Sequence, residues 1–164
     1  MESVVLMGTA HRIQLGLAGD VESFEKRLTA LCQTFKVRAI GEEMSTAALA
    51  AQDVARTIGA KVAQNLNLPH IYCDLPLLER RRLGISTVQE IQHQAHVDMW
   101  SKDQLADRLS EHFASVERYW LEQLRQLNTW PVLYVCGANH VASFAQVLQN
   151  DGFVCSIAET DWGA

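Results

Sequence analysis

The chain has 164 residues, enough for one domain with a full hydrophobic core. An apolar share of 48% and a charged share of 20% are those of a soluble globular protein, and a formal net charge of −5 argues against nucleic acid or an anionic membrane as partner. No apolar run approaches the ~18 residues that span a bilayer. Glu2 and the short apolar run after it do not make a secretory signal, so cytoplasmic residence is the expectation.

Val4–Met7 reads as a strand and leads directly into Gly8-Thr9-Ala10-His11. Val21, Phe24, Leu28, Leu31 and Cys32 then recur at helical spacing. A second strand, Val37–Ile40, runs through Gly41 into Glu42-Glu43. The alanine-rich stretch Thr46–Leu66 reads as helix, with Ser45 as its N-cap. His70–Cys73 is a third strand.

Residues 75–128 differ in kind. A charged segment containing Arg80-Arg81-Arg82 precedes one or two long helices over Val88–Leu127, and no strand pattern interrupts them. Phe113, Val116, Trp120, Leu121 and Leu124 form an apolar face there. A strand at Val132–Cys136 enters Gly137-Ala138-Asn139-His140, a helix follows and ends at Asn150-Asp151-Gly152, and Phe153–Ile157 is the last strand. Strands alternating with helices predict a single α/β domain over 1–164. Its sheet is mostly parallel and flanked by helices, with the helical insertion of about 75–128 before the penultimate strand.

Gly-x-x-His thus occurs twice, each time directly after an apolar strand. In an open α/β sheet such strand exits face the crevice where ligands bind, so His11 and His140 are expected to converge despite their separation in sequence. Glu42 and Glu43 leave a third strand, and adjacent side chains on an extended chain point to opposite faces. One of the two is therefore expected in the crevice. Two histidines and a carboxylate suit zinc, manganese, cobalt or iron, and leave coordination positions open for water or substrate; His11, Glu43 and His140 are the expected ligands. Without a metal the same groups could serve as general base and acid.

Of the remaining candidates, Arg118 on the long helix could clamp an anion. It falls about 200° around the helix from Val116 and Trp120, so it would have to reach the crevice from the helix's edge. His93 and His96 lie among glutamines and read as polar surface. Cys32, Cys73, Cys136 and Cys155 contain no C-x-x-C pair and read as structural thiols.

Gly8-Thr9-Ala10-His11, the glutamates after the second strand, Glu117-Arg118 on a helix and Gly137-Ala138-Asn139-His140 resemble, in order and spacing, the TraB/TIKI group. That group sits in a superfamily with the erythromycin esterases and the ChaN haem-binding lipoproteins. The resemblance implies a metal-dependent hydrolase of peptidase or esterase type acting on a small-molecule or peptide substrate. It puts His11, Glu42 or Glu43, Arg118 and His140 in the site. The alternative is non-enzymatic: a regulatory module binding a small ligand, a metal or haem, or a subunit of a larger assembly. A homo-oligomer is compatible with the chain, since four tryptophans offer aromatic surface to a partner.

Overall fold

A computed structural model describes residues 1–164. Five parallel strands form one sheet: β1 (Ser3–Thr9), β2 (Ala39–Glu42), β3 (His70–Tyr72), β4 (Val132–Gly137) and β5 (Val154–Trp162), in the order β3-β2-β4-β1-β5. The expected α/β class is therefore the observed one.

Alternation along the strands divides the core. Val5, Met7, Ile40, Leu133 and Val135 face α2 (Val21–Thr34) and α4 (Ile58–Asn65). Val4, Leu6, Ala39, Val132, Tyr134 and Cys136 face α7 (Lys102–Leu127) and α8 (Val141–Asn150). Helices cover both faces, so the strands are continuously apolar, as buried parallel strands are.

The alanine-rich stretch expected as one helix is two, α3 (Thr46–Ala51) and α4, with Ser45 and Thr57 each accepting a backbone N–H as N-cap. Between them Asp53 takes a left-handed conformation at φ 53°, which a continuous helix cannot contain. The insertion is helical throughout, comprising α5 (Leu77–Leu83), α6 (Val88–Val97) and α7. Thr87 and Ser101 close capping boxes at the starts of α6 and α7. No helix is long and apolar enough to cross a membrane.

This topology positions the site. From β2 the chain moves outward to β3, whereas from β4 it crosses β1 to reach β5. Neighbouring strands whose connections leave in opposite directions open a crevice at their carboxyl ends. The exits of β1, β2, β3 and β4 all lie on that edge.

Candidate active site

His11 opens α1 (His11–Gln14), a single turn directly after β1. The glycine that precedes it in the motif is dictated by packing: a Cβ on Gly8 would stand 2.0 Å from the Thr160 carbonyl oxygen and 2.5 Å from Val141. At the second motif the glycine makes room for a carboxylate. The Gly137 N–H donates to Glu43 Oε2 at 2.6 Å, and a Cβ there would crowd that same oxygen at 3.2 Å. Bare backbone lets β4 come up against the Glu43 carboxylate.

Glu43 is the centre of the cluster. His11 Nε2 lies 3.3 Å from Glu43 Oε1, and His140 Nε2 lies 3.6 Å from the same oxygen. The two Gly-x-x-His imidazoles therefore meet on one carboxylate, as their strand-exit positions predict. Burial alone would raise the Glu43 carboxyl; the His11 hydrogen bond, the charges of both histidines and the Gly137 N–H outweigh it and hold the group below its ordinary value. The same hydrogen bond raises His11 against the opposing effect of desolvation.

His140 is buried in the 3₁₀ turn after β4, against the rings of Phe113 at 4.2 Å and Trp120 at 4.8 Å between centroids. Its Nδ1 donates to Glu117 Oε1 at 2.8 Å, and the Ser143 hydroxyl donates to the same oxygen. A carboxylate accepts only, so Nδ1 carries a proton, and Nε2, the other ring nitrogen, faces Glu43. The two atoms stand 3.6 Å apart, close enough to serve as two donors to one cation when Nε2 is unprotonated.

Of the two glutamates Glu43 enters the crevice. Glu42 points to the other face, where it is wholly buried and takes hydrogen bonds from the Thr57 hydroxyl, His70 Nε2 at 2.8 Å and Gln14 Nε2 at 3.4 Å. That network ties α1 and α4 to the sheet; Glu42 is no catalytic candidate. Arg118 is also corrected. It is exposed on the outer side of α7, beside Glu122, Arg125 and Asp151, and does not reach the crevice. The 200° offset from the apolar face carries its side chain to solvent, and its neighbour Glu117 enters instead. His93 and His96 are exposed, and all four cysteines are free.

Two further residues at this edge carry charge or proton chemistry. Asp74 follows β3, lines a cavity with His11 and Glu43, and pairs with Arg80 at 3.2 Å. Burial raises its carboxyl, and the nearby Glu43 adds to that, while Arg80 opposes it. His112, buried on α7, is pushed down to about 4 by desolvation and by the charges of Arg80, His140 and Arg108. Asp74 and Glu117 were open to reading from the sequence pattern. Asp74 is one more polar residue at a strand exit, and Glu117 stands inside the apolar stripe, three residues from Trp120 and four from Leu121.

The donor set suits a divalent ion. Two ligands bonded at ~2.1 Å to a tetrahedral ion stand about 3.4 Å apart, which matches the separations of 3.3 and 3.6 Å from Glu43 Oε1. The Glu117–His140 bond is the outer contact that metal-binding histidines commonly make. No three His, Cys, Asp or Glu side chains already stand around one ion position. The His11 side chain is 54% exposed, whereas those of Glu43 and His140 are buried.

No protein-family model matches the chain, and no curated protein or solved structure matches it.

Proposed function

We propose that this protein is a metal-dependent hydrolase whose centre is His11, Glu43 and His140. One observation supports the reading: His11 Nε2 and His140 Nε2 stand 3.3 and 3.6 Å from the same oxygen of Glu43 while Glu117 holds the opposite ring nitrogen of His140. A divalent ion held by these residues would supply a Lewis acid for the scissile carbonyl and a bound water of lowered pKa.

The protein's own groups divide the remaining work. Glu117 fixes the tautomer and ring plane of His140. The Gly137 N–H holds Glu43 Oε2, which leaves Oε1 facing both histidines. His11, exposed at the mouth, would complete the ion's ligand set from the open side. Asp74, on the cavity wall, is paired with Arg80.

The likeness to the TraB/TIKI group supports the same chemistry through His11, Glu43 and His140, and departs from it at Arg118. The test is turnover of p-nitrophenyl esters and fluorogenic peptides by the purified protein loaded with zinc, manganese or cobalt. Cleavage that a chelator stops and Glu43→Gln abolishes is expected. An ion bound without cleavage of any ester or peptide would replace this reading with that of a binding module.

A further inference from the structure

Beside the reactive cluster lies a cavity of about 400 Å³, within the size range of small-molecule sites. His11, Glu43 and Asp74 form its polar end. The rest is built from Leu15 and Met44, both buried, and from Ala48 and Ala51, three residues apart and so on one side of α3. Alanines leave that wall open where larger side chains would fill it. Arg12 and Gln52 complete the lining.

The charges in this cavity do not cancel evenly. Glu43 is shared by two histidines, and Asp74 is matched by Arg80. Arg12, exposed and directly after His11, is the cation left over, for no carboxylate lies within ion-pair distance of it. A guanidinium on a cavity lip is suited to a planar carboxylate, which it meets with two parallel hydrogen bonds.

We infer that the cavity receives an apolar organic acid, its hydrocarbon part against Leu15, Met44, Ala48 and Ala51 and its carboxylate on Arg12. The inference rests on the reading of His11, Glu43 and His140 as the reactive centre and names what is brought to it. Anion recognition then falls to Arg12, on the turn that also carries His11, and not to Arg118. Holding the acid group beside His11 sets an ester or amide bond of the same molecule against Glu43, since both residues line the one cavity.

The experiment measures binding without turnover. Titrations of 4-phenylbutyrate and of its neutral analogue 4-phenylbutyramide are followed by ligand-observed NMR on the wild type, Arg12→Gln and Ala48→Trp. Arg12 and Ala48 are exposed, so neither substitution disturbs the core. The acid is expected to bind at least about five-fold more tightly than the amide. Arg12→Gln should remove that preference, and Ala48→Trp should weaken both compounds. Equal affinity for acid and amide, a preference that survives Arg12→Gln, or no binding of either compound would overturn the inference. An acid preference lost in Arg12→Gln, together with no ester or peptide cleavage in the turnover assay, would uphold the ligand class and remove the hydrolase reading alone.

Discussion

Glu117 accepts a hydrogen bond from His140 Nδ1 at 2.8 Å, and through it a buried carboxylate on α7 orients an imidazole delivered by β4. The helical insertion is thereby part of the site and not a cover over it. Glu117→Gln should keep the fold, since the amide oxygen still accepts, but should lower divalent-metal affinity about 10–100-fold. Competition titration against a chromophoric chelator measures this. Arg118→Ala, one residue on, should leave affinity unchanged and stability within about 0.5 kcal/mol.

Adjacent glutamates at the end of β2 should behave oppositely. Glu42→Ala strands His70, Thr57 and Gln14 around an empty buried position, a change expected to cost about 3 kcal/mol or more. Gly59→Ala should disturb the same network, because its Cβ would stand 2.6 Å from Glu42 Oε1. Glu43→Gln should instead leave a folded protein without metal binding or turnover. Urea denaturation of the three variants separates the two roles.

The strand cores and both Gly-x-x-His exits were legible because short continuous apolar runs and turn glycines are local signals. The choice between Glu42 and Glu43 was not, since it depends on which pleat face β2 turns to the crevice, and a register with β4 sets that. Arg118 misled because a motif carries an arginine to a position whose helical phase points it outward. The phase itself was readable, and it placed Glu117 inside the stripe of Val116, Trp120 and Leu121. The split of the alanine-rich stretch hid in Asp53, a residue whose left-handed conformation composition does not announce.

His112 should make stability pH-dependent. Its pKa is held at about 4 in the fold and returns to about 6.5 when unfolded, so the unfolded chain binds the extra proton between those values. Stability therefore falls as pH drops from about 6.5 to about 4, by at most about 3 kcal/mol from this group. His112→Phe should abolish that part of the slope, read as the difference between the two proteins in denaturation series across this range.

His11 has the opposite sign. Its pKa is raised in the fold, so its ion pair with Glu43 contributes fully below about pH 6.5 and is lost as pH rises through the folded value. The half-exposed pair is worth little, so His11→Ala should destabilise slightly at pH 6 and not at all at high pH.

The central claim is that His11, Glu43 and His140 hold one divalent ion, and cobalt(II) titration followed by visible absorption tests it most directly. One equivalent should bind the wild type and give a saturable d–d band of low-symmetry coordination, absent from both Glu43→Gln and His140→Ala. A wild type that takes up no cobalt, or a band that persists unchanged in both variants, would contradict the account.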